Sequence, residues 1–437
     1  MTDLSIKIIS QLKKLPILFF AVLILYNINL REISSGDTLP SRYLPISIIT
    51  GLNLDLDEFP YLYNTKTNSE YFYIQNSKGH WLSSYPVMPA ILSVPVYIPA
   101  VIFNLTGDPR WVNLFSKFAS SAIVSLSALF MFMTLKLILS EDMAILISLL
   151  YAFATSNWSV ASQGLWQHGP VELCLSIALY FLVKGDKWIY LASPFLALAV
   201  AARMSTALIA GGLFLYVIVY HRKEIIKFAF STIPVALLLF TYNLYYFGNL
   251  TGGNARLESK MLELKPIASV WSANFLPGLT GLLISPSRGL LIFSPVIVFS
   301  FAGIYYIFKN GAAPLYKYLS AISIFYILLF SFYTSWWGGH TYGYRYLIDI
   351  VPFLCIFIAF AIEKIMSSKR LKLIFTLLFC FSIFVQVIGF FNYPDTWNSI
   401  PKDVDIHPER VWDVTDNQII RCLRNGGRLP EFLKKVN

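Results

Sequence analysis

The stretch Leu15-Pro-Ile-Leu-Phe-Phe-Ala-Val-Leu-Ile-Leu-Tyr-Asn-Ile-Asn-Leu30 runs straight into Arg31-Glu-Ile-Ser-Ser-Gly-Asp-Thr-Leu-Pro-Ser-Arg-Tyr-Leu-Pro45. The first run carries no charge and reads as a membrane span. It lacks a small-residue cleavage site, so it reads as a signal anchor. The second run places a carboxylate, Asp37, about seven residues past the span's exit, a short helical distance from the membrane face. In a chain that is otherwise almost all apolar, this is the first large polar investment. It points to chemistry at the membrane interface.

Composition agrees. Hydrophobic residues make up 56% of the 437 and charged residues 13%, against about a quarter charged in soluble domains. The aromatic share of 16% suits interfacial belts and sugar-stacking surfaces alike. The net charge of +10 is spread over loops, so it reads as lipid-facing charge and excludes nucleic-acid binding, which needs one basic soluble face. Three of the four cysteines, Cys174, Cys355 and Cys380, lie in apolar segments, which excludes a disulfide framework or a cysteine metal site.

A span takes about 20 apolar residues. Eleven segments qualify, near 15–30, 112–135, 143–156, 170–183, 188–202, 204–220, 225–247, 290–308, 315–333, 347–362 and 372–391. The segment 86–104 is also apolar, but Pro86, Pro89, Pro95 and Pro99 remove backbone donors. It reads as a helix pair lying at the membrane surface or dipping in and out of it. The expected fold class is an all-α polytopic membrane protein: a membrane domain over 1–391, with outer loops at 31–111 and 248–289, and a short outer tail at 392–437. Lysine and arginine set the orientation. With the N-terminus inside, the inner loops hold fifteen basic residues, among them Lys136, Arg222, Lys223 and Arg370, against six acidic ones. The tail has seven of each, so charge does not place it.

Several residues stand out against this background. Asp37 is placed to act as a general base, or else to cap a helix beginning near Leu39-Pro40. Arg42 and Tyr43 follow it; Arg42 can bind a phosphate or orient the carboxylate, or be a headgroup-level surface arginine. Asp55, Asp57 and Glu58 alternate in a way that suits a divalent ion shared with Asp37, or a solvated loop face. Arg203 interrupts apolar sequence, at a mid-membrane cost of about 2.5–3.5 kcal/mol unless it is partnered, snorkels or faces a cavity. Glu172 is its candidate partner. His168, in a turn with Trp158 and Trp166, can bind sugar hydroxyls or phosphate. Arg288, in Ser285-Pro-Ser-Arg-Gly289, sits beside a helix N-terminus that favours anions. The densest cluster is Ser335-Trp-Trp-Gly-Gly-His-Thr-Tyr-Gly-Tyr-Arg-Tyr346, with His340, Tyr344 and Arg345 among stacking faces. Asp349, one turn beyond Arg345, can pair with it. No Walker loop, Gly-x-Ser-x-Gly or His-Glu-x-x-His occurs.

Taken together, these positions resemble the GT-C superfamily of integral-membrane glycosyltransferases, nearest to the bacterial users of polyprenyl-phosphate sugars related to protein mannosyltransferases and the aminoarabinose transferase. The features that carry the resemblance are Asp37, the proline-rich segment after it, Arg203, Ser285-Pro-Ser-Arg-Gly289, Trp337-Gly-Gly-His-Thr-Tyr-Gly-Tyr-Arg-Tyr346 and the tail sequence Val411-Trp-Asp-Val-Thr-Asp-Asn-Gln418. The resemblance implies a GT-C-like bundle of about 11 transmembrane helices with a helical first periplasmic loop, in the bacterial inner membrane with its site on the periplasmic face. Asp37 would deprotonate a glycan acceptor in an inverting displacement. Arg203, Arg288 and Arg345 would hold the donor phosphate, and Arg42, Tyr43, His168, Glu172, His340 and Tyr344 would contact substrate. It implies a hexose, glucose in particular, passed to an acceptor such as lipopolysaccharide O-antigen. Many members carry an acidic pair at the first-loop site, whereas Gly36 and Thr38 flank a lone Asp37 here. That departure leaves no cofactor assigned, with a divalent cation as the one open addition. A flippase or transporter would instead show inverted repeats and several intramembrane charges, and an O-antigen polymerase or ligase a large late outer loop.

A reporter active only outside the cytoplasm, inserted between Arg31 and Asp37, is expected to be active, and one inserted at Arg222 silent. The reverse pattern would overturn the orientation.

Overall fold

The computed structural model describes residues 3–63, 73–264 and 269–425; sequence readings that fall on 64–72, 265–268 and the end of the tail, 426–437, lie outside the described residues. Each of the eleven apolar segments is helical over most of its length. Among the described residues, five helices are long and apolar enough to cross a bilayer by themselves: Pro109–Leu135, Arg222–Phe247, Pro314–Ser331, Ile348–Ser367 and Lys369–Asn392. Shorter apolar helices, such as Leu15–Asn27, Met204–Tyr220 and Pro295–Lys309, stand among them.

Burial separates the inner helices from the outer ones. Val351–Ser367 is apolar on almost every side and buried along nearly its whole length, as a helix enclosed by others must be. Ile225–Phe247 is equally apolar, yet Phe228 and Asn243 are its only buried residues, so its surface faces outward. The helix Pro109–Leu135 begins with Asp108 as cap, its carboxylate accepting from the Arg110 N–H at 2.9 Å. Its buried face is rich in serine. Small hydroxyl residues let helix backbones approach and hydrogen-bond across the interface. Thus Ser127 bonds Tyr151 at 2.6 Å and Ser176 at 2.9 Å.

This helix also buries a charge that hydropathy hides. Lys117 is inaccessible to solvent; its ammonium donates to the Tyr26 carbonyl at 2.5 Å and to the Gln163 side chain. Gln163 in turn accepts from Asn29 at 3.0 Å. The exit of the first span is thereby tied to the turn before helix His168–Lys184.

Three expectations are corrected. The segment 86–104 forms one helix, Met88–Ile102, rather than a pair. Pro89 sits in the first turn, where no N–H is needed. Pro95 and Pro99 each cost a bond, but packing against Leu39–Thr50 and Pro109–Leu135 keeps the helix together. The first loop also contains an antiparallel hairpin, Ile74–Ser77 with His80–Ser83. Finally, the region 248–289 is not all loop: it holds helix Gly253–Leu264 and a second, apolar helix, Phe275–Ile284, packed on Pro314–Ser331.

Helices Phe299–Lys309 and Val351–Ser367 approach so closely at Gly303 that a Cβ there would lie 1.8 Å from the Phe357 carbonyl oxygen. Gly303→Ala should force the pair apart and lower stability by about 1–3 kcal/mol, the usual cost of overpacking. The unfolding midpoint of the detergent-solubilised protein measures this, and an unchanged midpoint would contradict the contact.

Candidate functional site

One cavity of about 630 Å³ gathers Asp37, His168, Arg203, His340 and Arg345, half of the site candidates that the sequence singles out. Its walls come from the ends of several segments: the turn at Ser35–Thr38, Trp166–His168 at the start of a helix, Arg203–Ser205 between two helices, and the turn Ser335–Tyr346. The volume suits a small ligand.

Asp37 lies in the short 3-10 turn Gly36–Thr38 that leads into helix Leu39–Thr50. It does not cap that helix; Thr38 holds the cap position without a side-chain bond. Its carboxylate instead accepts from the Arg345 guanidinium at 2.5 Å and the Tyr85 hydroxyl at 3.1 Å. The Arg345 guanidinium lies over two rings, Trp166 at 5.2 Å and Tyr346 at 5.1 Å. Burial opposes its charge, but the Asp37 carboxylate and Tyr346 outweigh that and hold its pKa above the ordinary value. Burial, with the Asp37 carboxylate, pushes the Tyr85 hydroxyl up, so Tyr85 stays a neutral donor.

Arg203 follows helix Ala192–Ala202 in an extended conformation, and its guanidinium lies over Phe330 and the same Tyr346 ring, at 5.2 and 5.1 Å. Its partner corrects the sequence reading. Arg203 pairs with Asp349 at 3.0 Å, not with Glu172, and Asp349 is therefore not the partner of Arg345. Asp349 is fully buried and also receives His168 at 2.7 Å and the Tyr326 hydroxyl at 2.5 Å. Arg203 in turn contacts the His168 ring at 2.8 Å. Two guanidinium groups thus share one aromatic ring, Tyr346, each with its own carboxylate.

The remaining candidates fall elsewhere. Arg42 is not turned toward Asp37: it pairs with Glu32 at 3.0 Å and bonds Ser34, Thr38 and Asn113, bracing the first loop. Tyr43 is buried against Phe59 and Tyr61. Arg288 is buried off the cavity, where it donates to the Gly339 carbonyl at 2.9 Å and Asn398 at 3.1 Å and stacks on Trp397; burial pushes its pKa down to about 10. It pins the glycine turn, whose Gly338 and Gly339 have φ of 83° and 65°, to the tail. Tyr344 spends its hydroxyl on Ser294 and the Ser156 N–H. Glu172 is fully buried one turn beyond His168, off the cavity, with Tyr151 and Asn157 as its polar neighbours. Of the substrate candidates, His168 and His340 line the cavity.

Two groups have cation-ligand spacing, Asp55–Asp57–His80 and His340–Asp403–Asp405. Neither includes Asp37, and Glu58 turns away to Ser47 and Asn53. Among the described residues Asp37 belongs to no group with cation-ligand spacing, so the ion shared with Asp55, Asp57 and Glu58 is corrected. The tail reaches the site too: Asp405 lies in the cavity wall, held by the Trp337 indole at 2.9 Å.

Beside the cavity runs an apolar groove of about 330 Å³, lined by Met88, Ile91, Leu198, Ala201, Val235 and Leu238 among others. Tyr85, Met204 and Asn254 line both. Sequence reasoning missed Tyr85, Tyr346 and the role of Asp349. Tyr85 precedes the proline-rich segment with nothing to mark it, and Tyr346 reads as one more belt aromatic.

Removing one member of a buried ion pair costs about 3–5 kcal/mol by stranding the other charge. Asp349→Ala should destabilise by that order, and Asp349→Ala with Arg203→Met should recover much of it. Equal unfolding midpoints for the single and double variants would refute the coupling.

No family model and no curated protein matches this chain. Among solved structures it is similar to ArnT from Cupriavidus metallidurans, crystallised bound to undecaprenyl phosphate, with a TM-score of 0.52 at 12% identity over 95% of this chain and 75% of that one. Identity this low speaks to fold alone: the chain is an all-α polytopic membrane bundle with the architecture of ArnT.

Proposed function

We propose that the protein transfers a sugar from a polyprenyl-phosphate carrier to an acceptor hydroxyl at the outer face of the bacterial inner membrane. One observation carries the reading: a carboxylate and two arginines meet in a cavity that adjoins an apolar groove. A lipid phosphate needs that combination, with cations for the headgroup and a hydrocarbon-like channel for the chain. The similarity to ArnT, whose structure contains undecaprenyl phosphate, supports the same reading. The basic inner loops support an outward site and an inner N-terminus.

In this mechanism the acceptor hydroxyl gives its proton to Asp37 as its oxygen attacks the sugar's anomeric carbon. The bond from that carbon to the phosphate oxygen breaks, and the phosphate leaves with the electron pair. Arg203 and Arg345 meet the charge where it develops. Attack opposite the leaving group inverts the anomeric centre. The half-exposed Trp271 ring in the cavity wall offers a face to the sugar, and His340 offers hydrogen bonds. Arg288, Tyr344, Arg42 and Tyr43 support the walls in this account instead of touching substrate. The finer reading is a hexose, glucose, delivered to a glycan such as lipopolysaccharide O-antigen.

Mass analysis of cell-surface glycan tests this in cells with the protein, without it, and with Asp37→Asn. Wild type should add a hexose mass that the other two lack. Loss of a positioned base should cut transfer about 10²–10⁴-fold while membrane protein levels hold. Identical glycans with and without the protein would end the reading, and full transfer by Asp37→Asn would end the base assignment.

A further inference from the structure

Where the tail meets the glycine turn, side chains from two distant segments converge. His340, Asp403 and Asp405 each offer one ligand atom, and these atoms all lie within 4.8 Å of one another. The Nε2 of His340 is 3.3 Å from Asp403 Oδ2 and 3.7 Å from Asp405 Oδ2. Each carboxylate spends its other oxygen on an orienting donor. Asp403 Oδ1 accepts from the Asp405 N–H at 2.8 Å, and Asp405 Oδ1 accepts from the Trp337 indole at 2.9 Å. Outer contacts of this kind fix the direction of metal ligands, and here they leave both Oδ2 atoms facing the imidazole.

The separations do not suit a hydrogen-bonded ion pair. A charge-assisted N–H···O bond closes to about 2.7–2.9 Å. Ligands at about 2.0–2.2 Å from a tetrahedral centre stand about 1.63 bond lengths apart, which is about 3.3–3.6 Å. The two spacings at His340 lie close to that range. The first-loop group behaves differently: His80 Nδ1 sits 2.8 Å from Asp57 Oδ2, an ordinary hydrogen-bonded pair with no room for an ion between them. Charge points the same way. Two carboxylates held this close repel, and one Nε2 proton serves a single carboxylate at a time, whereas a cation serves both.

We propose that His340, Asp403 and Asp405 bind one divalent cation of the zinc type, with a fourth position open to the cavity that His340 and Asp405 line. One imidazole with two carboxylates suits zinc, while calcium takes six to eight oxygens. Three protein ligands with an open position are the arrangement that accepts a water or a substrate oxygen. The ion also clips the tail to the glycine turn. A Cβ on Gly338 of that turn would lie 3.3 Å from the Arg345 Cβ, so one stretch of backbone holds both the ion and the arginine. The site stands independently of the donor reading, and the failure of either leaves the other in place.

The test uses full-length protein in detergent, stripped of metal by a chelator and titrated with zinc chloride by calorimetry. Wild type should take up zinc. His340→Gln and Asp403→Asn should each weaken uptake by at least about tenfold, the loss that follows removal of even an outer partner of a metal ligand. Asp57→Asn should leave it unchanged. X-ray absorption at the zinc edge should show one imidazole and oxygen neighbours at about 2.0–2.2 Å. Zinc should raise the unfolding midpoint of wild type and of neither ligand variant. No uptake by wild type would overturn the site, as would uptake that survives in both ligand variants or that only Asp57→Asn abolishes. Metal-free midpoints close to wild type establish that the variants are folded, and Asp403, partly exposed, is a ligand whose change leaves packing intact.

Discussion

An uncompensated charge inside a bundle of apolar helices is too costly to keep, so every buried cation in this protein must find its partner locally. The pair of Arg203 with Asp349 is the one on which the site depends. It brings together the break after helix Ala192–Ala202 and the short turn that opens the most deeply buried helix, and it recruits His168 and Tyr326 from two further segments. The ends of four helical segments are thereby gathered at one place. The cavity is the space these ends leave between them.

The other buried cations follow the same rule with different acceptors. Lys117 is satisfied by a backbone carbonyl and the Gln163 amide oxygen. Arg288 is satisfied by the Gly339 carbonyl and Asn398 and lies against Trp397. Both are structural: one ties the first span to its neighbours, the other holds the glycine turn against the tail. Among the described residues, only Arg203 and Arg345 combine a largely buried guanidinium with an opening to the cavity. In the proposed function, the working cations are those whose compensation is incomplete or shared with the cavity wall.

The groove beside the cavity has a related origin. Helix Ile225–Phe247 contributes little to the interior and shows most of its apolar surface outward. It packs on Ala192–Ala202, and residues of these two helices and of Met88–Ile102 line a channel with few polar groups, which Tyr85, Met204 and Asn254 join to the polar cavity. Prolines in Met88–Ile102 fit this place, since a helix that lines a groove gives up some of its own backbone bonds more readily than one at the core.

Much of the architecture was legible in the chain itself. Apolar runs of the right length predict helices because hydropathy and backbone satisfaction are local properties, and each of the eleven segments is helical. Asp37, Arg203 and Arg345 stand at segment ends, where a polar residue must lie at an interface or face a cavity, and all three line it. What the sequence could not decide is which charge meets which. Glu172 and Asp349 were equally near Arg203 in hydropathy terms, and Asp349 lay one turn from Arg345. The pairs that form join residues 146 and 308 positions apart, Arg203 with Asp349 and Asp37 with Arg345. Arg288 and Tyr344 look no less functional than Arg345 in sequence, yet packing turns them into the walls. Membership in a helix is settled by neighbours along the chain; partnership across a cavity is settled by how the helices pack, and only the tertiary structure holds that information.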